Sequence, residues 1–369
     1  MFSHDFWTSS SCHVALNPHR PNDADGLLEF ALEQGWESKC FFQTSGSEGL
    51  PKWVVLSKEA FLISARAVNA HFKITSADRW LIALPLHHVG GFSIAARVHL
   101  SGSSYVQHAA KWHPQEFVDL CDRENVTLVS LVPTQVHDLV IERLSCPRQL
   151  RVVIVGGGAI SEGLVKSARS LGWPIFQSYG MTEAASQIAT QSLDSKEDAG
   201  LEVLPHWKVS TDTEGHLLLS GPALAEGYLK KIHAGEWVWS AIGEVFATRD
   251  LVSLRSEGAL TFLRFIGRES GVIKILGELV HLAPLQARLD QIVLEEGSLS
   301  RPIIVALPDA RREMKLVLVV DSADSELWLS RFNDGVNRFC QITDIRRISV
   351  IPRTDLGKVD QVALKDMLS

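Results

Sequence analysis

The sequence predicts an α/β protein. A large N-terminal domain holds mostly parallel sheets covered by helices, with a small β-rich subdomain, and a small mobile α+β domain follows it. Strand-like and helix-like segments alternate from about residue 41 to residue 177, a pattern typical of a parallel sheet covered by helices. After about residue 200 short strands and turns replace it, and past about residue 267 a second α+β pattern begins, of ordinary domain size.

The N-terminal elements are read from apolar runs and their flanking residues. Ser57 is a suitable N-cap for a helix over 57–72, and Pro133 begins a further helix because proline is tolerated in the first turn. The strongest buried strand, 150–155, ends at three glycines. Other segments predicted as strands are 41–42, 53–56, 80–86, 126–131 and 174–177, and as helices 27–32, 115–123 and 161–171.

The predicted domain boundary lies at residue 267. Residues 1–267 form the N-terminal domain, with its β-rich subdomain at about 200–266, and residues 268–369 form the mobile domain. The segment Gly267–Gly271 is the candidate hinge. Within the second domain we expect strands at 272–276, 302–307 and 315–320, and helices at 284–295 and 324–338.

Composition excludes several classes of protein. The 369 residues are 46% apolar and 21% charged, with a formal net charge of −7. Nucleic acids and anionic membranes attract basic patches, so neither is expected as a partner. No apolar run is long enough for a membrane span, and the N-terminus does not read as a secretory signal. The five cysteines are odd in number and lack CxxC spacing, which indicates free thiols and a cytoplasmic location.

A glycine-rich loop, Thr44–Lys52 (TSGSEGLPK), lies between two strand-like runs. Glycine lets backbone N–H groups close around phosphate oxygens, hydroxyls add donors, and Lys52 adds a mobile positive charge. The spacing is not the GxxxxGK[ST] of common nucleotide triphosphatases. Taken alone, the loop also fits an ordinary solvated turn.

Six stretches in order resemble motifs of the adenylate-forming superfamily, which comprises acyl-CoA synthetases, luciferases and peptide-synthetase adenylation domains. The loop resembles that family's TSGSTGxPK. The others are 84–91 (LPLHHVGG), 179–183 (YGMTE), 246–250 (FATRD), 267–278 and 352–360 (PRTDLGKVD). The resemblance runs from about residue 41 to 365 and implies an ATP-dependent acid–CoA ligase. Such an enzyme uses ATP, Mg²⁺ and CoA and forms an acyl-adenylate before the thioester.

The resemblance implies a nucleotide site built from several motifs. Asp250 would accept the ribose hydroxyls with Arg268 nearby, and Tyr179 would stack on adenine, its alternative being simple packing. Glu183 would hold Mg²⁺, its alternative being a helix-start carboxylate favoured by the dipole. The remaining nucleotide- or cofactor-binding residues implied are Thr44, Ser45, Gly46, Ser47, Gly49, Lys52, Gly157, Gly158, Gly180 and Lys274.

Three residues are the implied catalytic candidates. Lys358 would bridge the carboxylate and the α-phosphate, a task suited to a point charge, and its alternative is a surface lysine in a turn. Thr182 would donate to the α-phosphate. His88 would line or gate the acyl pocket, or else be structural.

Lys274, one of the implied cofactor-binding residues, would lie on the thioester-forming face, reached by a domain rotation, or else be merely solvent-exposed.

Local features resemble the o-succinylbenzoate–CoA ligases of menaquinone biosynthesis: LPLHHVGG, the run 130–135 (SLVPTQ), and ATRD in place of TGD. The alternatives are a ligase for another aryl or fatty acid and a non-catalytic nucleotide-binding relative.

Glu48 and Ser270 depart from the family's usual threonine and aspartate. The loop begins near residue 44, far earlier than in relatives, so we expect a shortened N-terminal subdomain and consider a homodimer. A second substrate carboxylate needs a cationic or polar partner, yet the expected pocket, with His88, Ser130, Thr134, Gln135, His206 and Lys208, contains no arginine.

Overall fold

The structure is a computed structural model. It describes residues 3–19, 21–44, 52–108, 111–193, 200–232, 236–298, 300–309, 311–321, 325–354, 357 and 359–368. The helices are α1 (His4–Thr8), α2 (Leu27–Glu33), α3 (Lys58–His71), α4 (Val89–Ser101), α5 (Pro114–Arg123), α6 (Pro133–Ile141), α7 (Glu162–Ser170), α8 (Leu282–Glu295), α9 (Ser325–Asp334) and α10 (Gln361–Leu368).

The strands before residue 210 are β1 (His13–Ala15), β2 (Lys39–Thr44), β3 (Lys52–Ser57), β4 (Arg79–Ile82), β5 (Ser104–Gln107), β6 (Leu128–Leu131), β7 (Val152–Val155), β8 (Ile175–Met181), β9 (Ser186–Thr190) and β10 (Leu201–Val203). Those that begin or end later are β11 (Lys208–Thr211), β12 (His216–Ser220), β13 (Gly227–Lys231), β14 (Trp237–Ala241), β15 (Phe246–Glu257), β16 (Leu260–Arg268), β17 (Val272–Ile275), β18 (Glu278–His281), β19 (Ile303–Asp309), β20 (Glu313–Val320) and β21 (Asp344–Arg347).

Eleven strands form one continuous sheet in the order β11-β12-β15-β16-β10-β9-β8-β7-β6-β4-β5. From β8 to β5 the neighbouring strands are parallel, whereas from β8 through β9 to β11 they are antiparallel. The predicted α/β class is confirmed, and the long sheet combines parallel and antiparallel strands. Strand β8 is therefore a seam between a parallel half and an antiparallel half.

A second sheet has the order β1-β2-β3-β13-β14. Strand β13 lies antiparallel to β3, with Tyr228 opposite Val54 and Lys230 opposite Lys52. The strands of the β-rich region between residues 201 and 268 are thus shared by both large sheets. This pairing brings the region around Tyr228 beside the start of β3.

Local sequence explains where several helices begin. The Ser57 hydroxyl accepts a hydrogen bond from the Ala60 amide at 3.0 Å, and the Ser161 hydroxyl caps α7 in the same way. Pro133 occupies the first turn of α6. Strand β4 ends at Ile82, four residues before the predicted end, and Pro85, which lacks an N–H, follows.

Residues 272–368, here named the C-terminal unit, build two apolar clusters of their own around Leu289 and Leu318, and around Val319 and Ile351. The core of the preceding part of the chain is larger and lies on both faces of the long sheet.

All five cysteines are free thiols. Among the residues described, no helix has both the length and the apolar character to cross a membrane.

Candidate active site

The candidate site forms where β8 ends. Residues Tyr179 and Gly180 belong to the last part of β8, and a short 3₁₀ turn, Thr182–Ala184, joins it to β9. In open α/β sheets ligands bind beyond the carboxyl ends of parallel strands, where the strand order changes. The site lies at the carboxyl end of β8, the last strand of the parallel half, where the strand direction changes; the strand order itself changes further along the sheet, between β6 and β4.

A buried carboxylate forms the first part of the site. Asp250 is 5% exposed, and its Oδ2 accepts a hydrogen bond from the Tyr179 hydroxyl at 2.7 Å. Its Oδ1 accepts one from Arg268 Nε at 3.0 Å, because β15 and β16 place these two residues directly opposite each other. Burial, and then the charge of Asp250, raise the pKa of Tyr179 well above its ordinary value, so this hydroxyl stays a donor.

A second carboxylate lies beside the start of β3. Glu183 Oε1 accepts a hydrogen bond from the Tyr228 hydroxyl at 2.9 Å and lies 3.6 Å from Lys52 Nζ. The same ammonium sits 3.7 Å from the centroid of the Tyr228 ring, in cation–π geometry. Burial and the nearby Glu183 charge raise the pKa of Tyr228. The Ala225 amide donates to the Glu183 carbonyl at 2.8 Å and fixes the turn from the other side.

Gly180 is required by close backbone contact. A Cβ at this position would lie 1.6 Å from the Ser186 carbonyl oxygen, which no side chain tolerates. The chain returns this closely because Ala185 and Ser186 both adopt positive φ, 46° and 102°. The turn after β8 is thus held in an uncommon conformation at the centre of the site.

The structure brings several predicted residues together and places others apart. Tyr179, Gly180, Thr182, Glu183, Lys52, Asp250 and Arg268 meet around the end of β8. Gly157 and Gly158 follow β7, the neighbouring parallel strand, and Thr44 ends β2, where its hydroxyl donates to the Lys52 carbonyl at 3.4 Å. Lys274 is exposed on β17, in the hairpin with β18.

Several predicted residues lie outside the described part of the chain. They are Ser45, Gly46, Ser47, Glu48 and Gly49 of the phosphate loop, and Lys358. Their roles stay predictions. Gly357, which precedes Lys358, is described and packs on Thr134.

His88 is the N-cap residue of α4, with its ring centroid 4.4 Å from that of His87. Helix α4 was not predicted, because two glycines stand in its first turn and glycine disfavours helix. The helix runs from His88 down against α3, β4 and β9. It therefore leads from His88 into the protein interior.

Arg97 is a buried cation on α4 that the sequence analysis did not single out. It is 1% exposed on α4, and its Nη2 donates to Ser93 Oγ at 3.0 Å, whereas Nε and Nη1 have no hydrogen-bond partner among the described residues. The bond to Ser93, one turn earlier, shows that the guanidinium points towards the His88 end of the helix. Burial lowers the pKa of Arg97 to about 9, so it remains a cation at neutral pH.

The signal for Arg97 is present in the sequence. A single arginine stands in the apolar helical run 92–98 (FSIAARV), and a buried charge without a carboxylate partner is costly unless a ligand compensates it. Recognising the signal requires knowing that 89–101 is helical. His206, another residue of the expected pocket, is half-buried, and burial lowers its pKa to about 4.

Residues 33–229 match the family model described as "AMP-binding enzyme". The 2-succinylbenzoate–CoA ligase of Bacillus subtilis (strain 168) is 32% identical over 72% of this chain and 58% of its own length. The ligase of that name from Listeria monocytogenes serotype 4b is 28% identical over 91% of this chain and 72% of its own length. The chain thus spans 58% and 52% of the length of the first two curated relatives.

Solved structures agree with these relatives. The o-succinylbenzoate-CoA synthetase of Bacillus subtilis in complex with the acyl-adenylate intermediate OSB-AMP superposes with a TM-score of 0.74 at 26% identity, covering 89% of this chain and 68% of that one. The same enzyme in complex with ATP and magnesium ion gives a TM-score of 0.72 at 26% identity, covering 89% and 70%. The matched family model spans more than half of the chain, and the chain belongs to the AMP-binding enzyme family.

Proposed function

We propose that this chain is an ATP-dependent, AMP-forming acid–CoA ligase whose acid is 2-succinylbenzoate. The observation that carries the proposal is the meeting of two carboxylate clusters, Tyr179–Asp250–Arg268 and Lys52–Glu183–Tyr228, at the end of β8. The names of the curated relatives and the ligands named for the solved structures support the choice of reaction and acid.

The reaction has two steps. In the first, a carboxylate oxygen attacks the α-phosphorus of ATP, and the bond to pyrophosphate breaks, giving an acyl-adenylate. In the second, the CoA thiol attacks the acyl carbon, AMP leaves with the bonding electrons, and the thiol proton passes to solvent. A carboxylate is already a nucleophile, so the protein must align the reactants and neutralise charge more than it must move protons.

Asp250 is assigned to the ribose of ATP. Its two oxygens each retain acceptor capacity beyond the bonds from Tyr179 and Arg268. The partners hold the carboxylate in one orientation, so two hydroxyl donors on adjacent carbons can reach it together. The Tyr179 ring, which stacks on Phe265 at a centroid distance of 5.8 Å, supplies an apolar face for adenine.

Lys52 and Glu183 are assigned to the phosphate end. Lys52 provides positive charge for phosphate oxygens, and a carboxylate oxygen of Glu183 is the ligand type that Mg²⁺ prefers together with substrate phosphates. The described residues contain no cluster of three or more His, Cys, Asp or Glu side chains able to hold a metal. That fits Mg²⁺ held by one carboxylate and the nucleotide, and the ion would neutralise phosphate charge.

Arg97 is assigned to the second carboxylate of the acid. A dicarboxylate entering at His88 would present one carboxylate to ATP and the other to the interior. The buried guanidinium, with two donor nitrogens unpartnered among the described residues, supplies the cation that such a group needs. This assignment favours an aryl dicarboxylate over a simple fatty acid.

Lys358 is assigned to the first step, where its ammonium bridges the attacking carboxylate and the α-phosphate. Lys358→Ala should reduce acyl-adenylate formation by about three orders of magnitude, as loss of a transition-state charge contact does. Thioester formation from supplied acyl-adenylate should stay nearly unchanged. Equal loss in both steps would contradict the assignment.

The whole proposal is tested with an acid panel. Pyrophosphate release is measured with Mg-ATP and either 2-succinylbenzoate, benzoate or a medium-chain fatty acid, and CoA thioester is then measured by chromatography. We expect 2-succinylbenzoate to give the highest kcat/KM. Preference for a monocarboxylate would support the ligase for another acid, and ATP binding without turnover on any acid would support a non-catalytic relative.

A homodimer and a cytoplasmic location stay predictions, testable by light scattering and cell fractionation.

A further inference from the structure

We propose that Asp138 and Arg301, coupled through Arg353 to Gly357, form an interdomain latch that positions the C-terminal unit for acyl-adenylate formation. The proposal deepens the proposed function and rests on it, since it assigns positioning residues to one of the two half-reactions. Asp138 lies on α6, whereas the other three residues lie in the C-terminal unit. The contact therefore joins two parts of the chain that have separate cores.

Asp138 is held from three sides. Its Oδ1 accepts a hydrogen bond from Arg301 Nη2, and its Oδ2 accepts one from Trp112 Nε1 at 2.9 Å. His137 Nδ1 lies 3.6 Å from Oδ1. The side chains of Asp138 and Arg301 are 20% and 29% exposed, so salt and water screen the pair less than a surface pair. The hydrogen bond from Trp112 orients the Asp138 carboxylate independently of Arg301.

Arg301 is connected in turn to the end of the chain. Its carbonyl oxygen accepts a hydrogen bond from Arg353 Nη2 at 2.8 Å. Arg353 Nη1 donates to the Gly357 carbonyl at 3.1 Å, and Arg353 forms a β-bridge with Val359. Three links thus lead from α6 to the two residues that flank Lys358 in sequence.

Gly357 meets the same helix at a second point. Its φ is +70°, and a Cβ there would lie 2.4 Å from Thr134 Oγ1. Thr134 and Asp138 are four residues apart and so share one face of α6. Two contacts on one helical face, an ionic pair and a close backbone approach, define the orientation of the C-terminal unit better than either contact alone.

The contacts between the C-terminal unit and α6 favour acyl-adenylate formation over thioester formation. It brings the Arg353–Val359 end against α6, whereas Lys274, predicted for the thioester-forming face, is exposed. Loss of the latch should therefore slow acyl-adenylate formation. Thioester formation, which needs the other orientation, should not require it.

Two variants break the latch without touching the candidate site: Asp138→Asn and Arg301→Met. The matched control is Arg331→Met, because Arg331 pairs with Glu295 and Glu296 inside the C-terminal unit and its loss changes charge equally. Pyrophosphate release with 2-succinylbenzoate and Mg-ATP measures the first step. Thioester formation from supplied acyl-adenylate and CoA measures the second.

We expect both latch variants to lose about tenfold or more in the first step and to stay within about twofold in the second, with the control unchanged in both. The charge-exchanged protein, Asp138→Arg with Arg301→Asp, should recover part of the lost rate. Equal loss in both steps, or no loss, would overturn the proposal.

A measurement without catalysis separates failure of the latch from failure of the proposed function. Spin labels at Lys166→Cys and Gln341→Cys, both exposed, report the distance between the two parts of the chain in a Cys12→Ser, Cys146→Ser background. We expect Arg301→Met to broaden the distance distribution and Arg331→Met to leave it unchanged. An unchanged distribution in Arg301→Met overturns the latch even if no acid is turned over.

Discussion

At the scale of single residues, buried charges decide what the site can bind. Arg97 and Asp250 are both buried, yet Asp250 has Tyr179 and Arg268 as partners. Among the described residues, the Arg97 guanidinium has the Ser93 hydroxyl and the face of the Trp80 ring, 5.5 Å from its centroid, but no carboxylate. A buried carboxylate whose hydrogen bonds are satisfied can have a purely structural role. Two donor nitrogens of Arg97 have no hydrogen-bond partner among the described residues, which lowers stability, and the proposed second carboxylate of the acid would compensate this cation.

Arg97→Met tests this reasoning. We expect the free energy of unfolding of the unliganded protein to rise by about 1–2 kcal/mol, because an uncompensated buried charge is removed. The KM for 2-succinylbenzoate should rise about tenfold to a hundredfold, which corresponds to the free energy of one hydrogen bond to a charged group. Urea denaturation and steady-state kinetics measure the two effects. The control is benzoate, whose KM should not change, and a similar loss with benzoate would indicate a structural role.

Asp290, on α8, gives a pH prediction. The residue is exposed to solvent, but the protein atoms around its carboxyl disfavour the charged form and raise its pKa to about 6, although the Gln286 amide and the charges of His137 and Arg353 oppose the rise. The folded state thus holds the proton more tightly than the unfolded state. The stability from this group is full below about pH 4 and is lost as the pH rises through about 6.

Asp290→Asn keeps an acceptor for Gln286 and removes the charge. We expect its free energy of unfolding to exceed that of the wild type by at most about 1 kcal/mol at pH 7.5, because solvent screens the charge of an exposed residue, and to match it near pH 4. Urea denaturation at the two pH values measures this. Asp334→Asn, at an exposed position, is the matched control. A variant less stable than the wild type at pH 7.5 would show that the Arg353 and His137 charges dominate instead.

At the scale of elements, the turn between β8 and β9 sets the geometry of the site. Gly180→Ala should place a Cβ on the Ser186 carbonyl and force β8 and β9 apart, at a cost of about 1–3 kcal/mol. ATP affinity should fall as well, since Tyr179 and Glu183 flank the turn. Calorimetry and urea denaturation test both effects. Gly243→Ala, where the new methyl meets open space, is the control, and equal behaviour of the two variants would contradict the argument.

Elements with strong local signals were predictable. The capped helix α3, the proline-led α6 and the apolar β7 follow from a few neighbouring residues. Helix α4 was not predictable in this way, because its apolar face stabilises it through packing on α3 in spite of Gly90 and Gly91. For the same reason the sequence did not reveal the burial of Arg97.

The residues of the candidate site also divide into those that local sequence motifs indicate and those that only the fold reveals. Asp250, Glu183 and Tyr179 were found through motifs whose members lie close in sequence. Tyr228 was missed, because β13 reaches β3 across more than 170 residues and no local pattern indicates that pairing. Contacts of high sequence separation, such as Tyr228 with Glu183, follow from sheet order and are seen once the strands are placed.

At the scale of the whole molecule, the net charge of the chain and the charge of the proposed substrates have the same sign. The chain carries a formal net charge of −7, and ATP, CoA and a dicarboxylate are all anionic. Under the proposed function, binding depends on local cations, and the candidates are Lys52 and Arg268 near the end of β8 and Arg97 on α4. Arg268 belongs to the long sheet, Lys52 to the five-stranded sheet and Arg97 to helix α4. The C-terminal unit contacts α6 at Thr134 and Asp138.

Mg-ATP binding should therefore be visible as stability of the whole chain. At a concentration about a hundred times the Kd, binding to the folded state adds about 2.7 kcal/mol to the free energy of unfolding. Thermal unfolding with Mg-ATP should show a higher Tm than with Mg²⁺ alone. Asp250→Asn should keep the Tm of the unliganded protein within a few degrees and lose most of the ATP-dependent rise, because the ribose contact is weakened while Tyr179 and Arg268 stay in place. If Mg-ATP left the wild-type Tm unchanged, the nucleotide site at β8 would be wrong. If Asp250→Asn kept the full rise, the nucleotide would bind without the ribose contact assigned to Asp250.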